Sequence, residues 1–154
     1  MIKILANDGI SQAGIDALTE KGFNVVTEKV AQEDLINTIN TKNYEVLLVR
    51  SATTVREELI DACPHLKVVG RGGVGMDNID VDYAIEKGIN VINTPAASSA
   101  SVAELVFAHL FGMVRFLFDS NRQMPMVGDA DFKSLKKSYA NGRELSGKTL
   151  GIIG

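Results

Sequence analysis

Two arginines and a glycine-rich segment are the residues best suited to bind an anion. Arg50 directly follows the apolar run Val46–Val49, and Arg71 lies within Gly70–Gly75, which reads GRGGVG. An arginine presents paired donors to a carboxylate or a phosphate, and consecutive glycines allow successive backbone N–H groups to form a concave anion-binding nest. These residues therefore predict the binding of a small polyanion.

The same segment, Gly70–Gly75, matches the G-x-G-x-x-G spacing of dinucleotide-binding loops. Such a loop runs directly into a helix, whose N-terminus binds the pyrophosphate. Here Met76–Asp80 intervenes with two acidic residues, and the next predicted strand is followed by Asn93 instead of a ribose-binding acid. We therefore favour anion binding over dinucleotide binding for this segment. A tight glycine turn with Arg71 in solvent is the simpler alternative.

Short apolar runs that alternate with helical patterns predict the elements that position these residues. Strands are predicted at Ile2–Ala6, Phe23–Thr27, Tyr44–Val49, Leu66–Val69 and Ile89–Ile92. Helices are predicted at Ser11–Lys21, Glu33–Asn40, Arg56–Cys63 and Val81–Lys87, the last with Asp80 as its N-cap. This alternation predicts an α/β fold with a doubly wound parallel sheet.

Four polar segments follow the predicted strands. They are Asn7–Gly9, Arg50–Thr53, Arg71–Gly73 and Asn93–Pro95. In a doubly wound sheet, ligands bind beyond the carboxyl ends of the strands, so we expect these segments to lie at one edge. Two arginines, the hydroxyl of Ser51 and a glycine nest at that edge predict a receptor for a small polyanion.

A long apolar helix is predicted at Ser98–Phe118. Its apolar residues surround the helix axis, so we expect it to be covered on several sides, including by a second subunit. A membrane span is disfavoured by Glu104, His109 and Arg115 within the stretch. Glu104 and His109 also lack the spacing of a helical zinc motif, and no metal site is predicted.

The remaining residues predict a surface segment and the beginning of a second sheet. Gln123–Gly147 is polar and contains proline and glycine, which indicates a surface region with one short helix. The final run, GKTLGIIG, predicts a strand that begins at Thr149 and is followed by Gly154. A strand followed by glycine is how a dinucleotide-binding unit begins, so Gly154 is predicted to be the first glycine of a cofactor loop.

The composition excludes several classes of protein. A hydrophobic content of 45% with 23% charged residues is typical of a globular protein, and a net charge of −3 gives no reason to expect nucleic acid or a membrane surface as a partner. The single cysteine, Cys63, cannot form an internal disulfide, which favours a reducing compartment such as the cytoplasm. We expect Cys63 to pack as a small hydrophobic residue.

Four sequence blocks resemble the NAD-dependent D-2-hydroxyacid dehydrogenases. They are Val49–Thr53 (VRSAT), Val69–Asp80 (VGRGGVGMDNID), Asn93–Pro95 (NTP) and Ser101–Leu105 (SVAEL). Their order and spacing match over nearly the whole chain. The resemblance implies a flavodoxin-like substrate domain at residues 1–97, a crossover helix at residues 98–119, and the first strand of an NAD-binding Rossmann domain within residues 120–154.

The resemblance also implies roles for individual residues. Arg50 and Arg71 are expected to bind the phosphate of a phosphorylated hydroxy acid, with Ser51 beside them. The backbone at Gly72, Gly73 and Val74 is expected to bind the carboxylate, and Val74 is also expected to face the nicotinamide. The arginine, glutamate and histidine that carry out the chemistry are expected beyond Gly154. Residues 1–154 alone are therefore expected to be inactive, and the intact protein to be a homodimer or a higher homo-oligomer.

Other functions compatible with these residues remain open. Another family member, acting on glycerate, hydroxypyruvate or lactate, fits the same blocks, and so does a non-catalytic corepressor that binds NAD. A phosphoacceptor receiver domain has a similar pattern of strands and helices, but it needs an aspartate where this chain has Arg50. A free-standing binding module leaves the final strand pattern unexplained.

Overall fold

The computed structural model describes residues 1–153, which form two compact units. The first unit comprises residues 1–98 and the second begins at Ser99. The first unit is an α/β domain that carries all the predicted substrate-binding residues, and the second consists of helices and the segment that follows them.

A five-stranded parallel sheet organises the first unit. Its strands are β1 (Lys3–Ala6), β2 (Asn24–Val26), β3 (Val46–Val49), β4 (Val68–Arg71) and β5 (Asn90–Asn93), in the order β2-β1-β3-β4-β5. All four pairings are parallel, and Val49 of β3 is the register partner of Arg71 of β4. The predicted α/β fold with a parallel sheet is confirmed.

The helices of the first unit connect successive strands. They are α1 (Gln12–Glu20), α2 (Leu35–Lys42), α3 (Glu57–Ala62) and α4 (Val81–Glu86), with a 3₁₀ turn at Gln32–Asp34. The strand order reverses beside β1, and parallel crossovers are right-handed, so α1 lies on one face of the sheet and the other three helices on the opposite face. The reversal between β1 and β3 is where such folds bind ligands.

The core lies between the sheet and helices α2 to α4. Leu5, Leu47 and Val69 of the sheet pack in one cluster with Leu35 and Ile39 of α2. Burial of such side chains contributes roughly 1.5–3 kcal/mol each, which fixes the strands and therefore the loops at their ends.

Cys63 and Asp80 both occupy their predicted positions, but the side chain of Asp80 makes contacts that were not predicted. Cys63 is fully buried in the core, as predicted, and burial raises the pKa of its thiol to about 11. Asp80 precedes α4, but its side chain does not cap that helix. Its carboxylate accepts hydrogen bonds from Arg56 at 2.7 Å and from the Glu57 N–H at 3.0 Å, so it holds the start of α3 instead.

The second unit contains two helices where one was predicted. Helix α5 spans Ser99–Val114 and helix α6 spans Leu117–Tyr139, so the single helix predicted at Ser98–Phe118 is wrong. Phe116 adopts a left-handed conformation with φ of 55°, and the helix axes bend by 57° at this break. The bend brings the Phe118 ring against Gly112, where a Cβ atom would lie only 2.6 Å from the ring.

The segment predicted to contain one short helix is also different. Helix α6 continues for 23 residues through Pro125, and its backbone leaves helical geometry at Asp131, where φ is −115°. This kink allows Tyr139 to return to the start of the helix and donate a hydrogen bond to Asp119 at 2.8 Å. The sequence reveals only the low helix propensity of proline and glycine, which favours a loop here.

The final run forms no strand among the residues that the structure describes. Residues 149–153 have no regular secondary structure, so the predicted strand at Thr149 is not observed. A strand requires a hydrogen-bonded neighbour, and residues 1–153 provide none for this run.

Within residues 1–153, no single helix is long and apolar enough to span a membrane. Helices α5 and α6 reach the required length and composition only when they are taken together as a bent pair.

Candidate substrate-binding site

Asn7, at the carboxyl end of β1, joins the loops that follow β2 and β3. Its side chain is almost fully buried and forms two hydrogen bonds with the Val30 backbone, at 2.8 and 3.0 Å. Its amide also donates to the Thr53 hydroxyl at 2.9 Å. Because a buried amide is costly to leave unpaired, these three bonds fix the two loops relative to β1.

Asp8, the next residue, holds the loop that carries Arg50. One carboxylate oxygen accepts from the Arg50 N–H at 2.7 Å and from the Thr53 N–H at 3.1 Å, and the other accepts from the Thr53 hydroxyl at 2.8 Å. Burial raises the pKa of Asp8, but these hydrogen bonds outweigh that effect and hold its pKa below the usual value. Asp8 therefore remains ionised and keeps the loop in one conformation.

Asn78 holds the same loop from the side of the glycine-rich segment. Its amide donates to the carbonyl oxygens of Arg50, at 2.8 Å, and of Thr53, at 2.6 Å. Asn78 is buried, and its role is missed by sequence reasoning because burial of one asparagine leaves no periodic signal. The backbone of Arg50 is thus fixed at its N–H by Asp8 and at its carbonyl by Asn78.

Arg50 lines two adjoining cavities at this edge of the sheet. The first, of about 450 Å³, is also lined by Asp8, Thr27, Lys29 and Ser51. The second, of about 590 Å³, is lined by Asp8, Ser11, Val49 and Gly72 together with Arg50. The structure therefore brings the predicted residues Arg50, Ser51 and Gly72 to one site. It also adds Lys29, which sequence reasoning missed.

Arg71 is placed differently from Arg50. Its guanidinium donates to the Gly75 carbonyl and, at 3.1 Å, to the carboxylate of Asp77, and its side chain is only 14% exposed. It lines a smaller cavity of about 170 Å³, whose other residues include Leu48, Ile92 and Gly72. Gly72 separates this cavity from the one beside Arg50, so the two predicted arginines lie on neighbouring strand ends without sharing a cavity.

The predicted anion nest offers fewer free donors than the sequence suggests. The Gly72 N–H donates to the Val49 carbonyl at 2.9 Å, and the Gly73 N–H donates to the Arg71 carbonyl at 3.0 Å. The Val74 N–H has no acceptor within residues 1–153. Asn93 fixes this segment by donating to the Val74 carbonyl at 2.7 Å. Of the three predicted amides, that of Val74 is the one available to a ligand.

The glycine-rich segment does not fit the pyrophosphate of a dinucleotide. Five residues separate Gly75 from Val81, where helix α4 begins, and this helix is only six residues long. The preceding residues pair Ile79 with Val55 in an isolated parallel bridge instead of opening a helix. Of the two predicted cofactor-binding residues, Val74 is 53% exposed and Gly154 lies outside the described residues.

Comparison with known proteins identifies the family to which this site belongs. The sequence pattern of the "D-isomer specific 2-hydroxyacid dehydrogenase, catalytic domain" matches residues 4–146. The chain belongs to this family. The predicted resemblance to this family is therefore confirmed.

Three relatives illustrate the range of this similarity. D-3-phosphoglycerate dehydrogenase of Methanocaldococcus jannaschii is 43% identical over 154 residues, covering 100% of this chain and 28% of the relative. Hydroxypyruvate reductase of Thermotoga maritima is 39% identical, covering 99% of this chain and 47% of the relative. The crystal structure of 3-phosphoglycerate dehydrogenase from Entamoeba histolytica with bound NAD⁺ is 31% identical, with a TM-score of 0.60, covering 74% of this chain and 39% of that one.

The chain thus spans less than half the length of these relatives. In the relative from Methanocaldococcus jannaschii, it corresponds to the N-terminal part.

Proposed function

We propose that the intact protein oxidises D-3-phosphoglycerate to 3-phosphohydroxypyruvate with NAD, the first step of serine biosynthesis. Residues 1–98 supply the substrate-binding half of the site. The observation that carries this proposal is the placement of Arg50, whose backbone is held by Asp8 and Asn78 while its side chain lines two adjoining cavities. The names of several relatives, D-3-phosphoglycerate dehydrogenases, support the same substrate.

The proposed substrate carries a phosphate, a carboxylate and a hydroxyl group. Arg50 binds the phosphate, because its backbone is fixed at the strand end and charge-assisted hydrogen bonds from a guanidinium to phosphate are strong. Ser51 lies beside it and adds a hydroxyl donor. The free N–H of Val74 binds the carboxylate, and the absence of side chains at Gly72 and Gly73 leaves space for the substrate to reach it.

Arg71 is the second proposed phosphate ligand. Three of the five N–H donors of its guanidinium remain when one terminal nitrogen is bound to Asp77 and Gly75, and its Nε is buried without a partner among the described residues. NAD is proposed as the cofactor because the relative from Entamoeba histolytica was solved with NAD⁺. The residues that move the proton and bind the cofactor's pyrophosphate are expected beyond Gly154.

A second candidate is the reduction of hydroxypyruvate, a substrate without a phosphate. The relative from Thermotoga maritima carries that name. The engagement of Arg71 by Asp77 also favours it, because a single free arginine suffices for a substrate with one anionic group. The two candidates share the family chemistry and differ only in the group that Arg50 binds.

Steady-state kinetics of the intact protein distinguish the two candidates. With NAD, we expect kcat/KM for D-3-phosphoglycerate to exceed that for D-glycerate by about 100-fold, the equivalent of one charge-assisted bond to the phosphate. Equal values for the two hydroxy acids, or faster turnover of D-glycerate, would favour the hydroxypyruvate candidate. The comparison is matched, because D-glycerate differs from the proposed substrate only by the phosphate.

We further propose that the intact protein is a cytoplasmic homodimer or higher homo-oligomer that uses the second unit as its contact surface. Helix α5 exposes large apolar side chains on several sides, among them Val102, Leu105, Phe107, Phe111 and Met113. Apolar surface of this extent is typical of an interface. The unpaired, buried Cys63 agrees with a reducing compartment.

A further inference from the structure

Lys29 lies at the same strand edge as Arg50 and has no assigned role. It follows β2, and it lines the 450 Å³ cavity together with Arg50, Ser51 and Thr27. Lys29 forms no ion pair or side-chain hydrogen bond within residues 1–153. The acidic residue before it, Glu28, is directed elsewhere, since its carboxylate lies 3.8 Å from the amine of Lys42.

The loop that carries Lys29 is fixed by the residue that also fixes the Arg50 loop. Asn7 accepts a hydrogen bond from the N–H of Val30, the neighbour of Lys29, and donates to the carbonyl of Val30. The same amide donates to Thr53, whose hydroxyl and N–H bind Asp8. The buried side chain of Asn7, directly after β1, thus joins the two loops and keeps the two cations at one cavity.

Asp8 is the alternative partner for Lys29, because it lines the same cavity and Lys29 helps to lower its pKa. Both oxygens of Asp8 already accept hydrogen bonds from Arg50 and Thr53, so the carboxylate is largely satisfied by the loop. The cavity then has two cations against one carboxylate, a net positive charge that favours an anion. A second cation stabilises a bound phosphate, which carries two negative charges, more than it stabilises a bound carboxylate, which carries one.

We propose that Lys29 is the second cation of the phosphate subsite and acts together with Arg50. This inference rests on the proposed function and deepens it, because it makes the 450 Å³ cavity the place where the phosphate binds. Lys29 supplies a flexible point charge, and Arg50 supplies a planar pair of donors. Discrimination between phosphorylated and unphosphorylated hydroxy acids then depends on both residues, whereas Arg71 contributes from the neighbouring strand end.

Kinetics of the intact protein with two substrates test this proposal. In Lys29→Gln, KM for D-3-phosphoglycerate is expected to rise about 3- to 10-fold, because one exposed cation beside a doubly charged group is lost. KM for D-glycerate is expected to stay within a factor of about 1.5. Lys29→Arg keeps the charge, so its KM for D-3-phosphoglycerate is expected to return most of the way to the wild-type value. A merely structural role of Lys29 would not predict this rescue.

Lys21→Gln is the matched control. Lys21 is exposed and precedes β2, whereas Lys29 follows it, so the same charge is removed at the opposite edge of the sheet. Equal KM values in Lys29→Gln and Lys21→Gln, or equal losses for both substrates in Lys29→Gln, overturn the proposal.

A parallel Arg50→Ala variant separates this inference from the proposed function. If Arg50→Ala raises KM for D-3-phosphoglycerate but not for D-glycerate, while Lys29→Gln changes neither KM, the proposed role of Lys29 is wrong and the phosphate site at Arg50 is retained. If Arg50→Ala affects both substrates equally, the proposed function fails, and the inference about Lys29 fails with it.

Discussion

The guanidinium of Arg71 is bound by the carboxylate of Asp77, six residues further along the same loop, at 3.1 Å. The pair is asymmetric: the Arg71 side chain is 14% exposed and that of Asp77 is 85% exposed. Hydrogen bonds from its own backbone amide and from Arg71 hold the pKa of Asp77 below the usual value. An internal carboxylate therefore occupies one side of the arginine that the family resemblance assigns to the substrate.

Removing this carboxylate tests whether Asp77 competes with the substrate. In the intact protein, Asp77→Asn is expected to lower KM for D-3-phosphoglycerate about 2-fold, a small change because the acid is exposed and its charge is screened. Asp82→Asn, an exposed acid in the first turn of α4, is the control for net charge. A higher KM in Asp77→Asn alone would show that Asp77 orients Arg71 instead of competing for it.

The hydrogen bonds of Asp8 predict a pH-dependent stability. Because the folded pKa of Asp8 lies below its ordinary value of 3.8, the carboxylate stabilises the fold above about pH 4, and this contribution is lost as the pH falls through the folded pKa. Asp8→Asn is expected to cost about 1–3 kcal/mol at pH 7, since the new amide cannot accept all three hydrogen bonds.

Urea unfolding of residues 1–154, followed by circular dichroism, measures this cost. The difference between wild type and Asp8→Asn should shrink as the pH falls below 4, while Asp82→Asn should show a small difference throughout. A cost that is the same at pH 7 and pH 3 would mean that the Asp8 charge does not hold the Arg50 loop.

The arrangement at this edge of the sheet is largely predictable from sequence, because it follows from the positions of the strands. β-branched runs bounded by turn residues locate all five strands, and parallel strands end at one edge of the sheet. Because β3 and β4 are paired, Arg50 and Arg71 lie on neighbouring strand ends. The details depend on tertiary contacts. The engagement of Arg71 by Asp77 and the burial of Asn78 arise from how one loop folds over another, and no periodic pattern encodes that.

The second unit shows where local signals mislead. Continuous apolar residues predict one helix through Phe118, yet the helix ends at Val114, and the left-handed Phe116 lets the Phe118 ring pack on Gly112. Pro125 and Gly128 suggest a loop, yet α6 continues past both, and Tyr139 contacts Asp119 across its kink. Helix propensity predicts only local preference, and tertiary context overrides it here.

The glycine-rich segment predicts weak cofactor binding by residues 1–154 alone. Met76–Asp80 separates it from the short helix α4, so no helix N-terminus faces a pyrophosphate at this position. Calorimetric titration with NAD is expected to show no saturable binding below millimolar concentration, and turnover of D-3-phosphoglycerate by these residues is expected to be undetectable. Micromolar binding of NAD would identify Gly70–Gly75 as a cofactor loop and would contradict its assignment to the substrate.

The exposed apolar residues of α5 predict self-association of the intact protein. We expect light scattering at micromolar concentration to give the mass of a dimer or a higher oligomer. Phe111→Glu, which places a charge on the apolar surface, is expected to increase the monomer fraction, whereas Glu104→Gln is a control that removes a charge from the same helix. A monomeric mass for the wild type would refute the proposed interface.

A crystal structure of the intact protein with bound D-3-phosphoglycerate would show whether the cavity beside Arg50 receives the phosphate. We expect phosphate oxygens about 2.7–2.9 Å from the Arg50 guanidinium, the usual length of charge-assisted hydrogen bonds, with Ser51 and Lys29 lining the same cavity. A phosphate bound away from Arg50, with the substrate carboxylate in its place, would contradict this expectation.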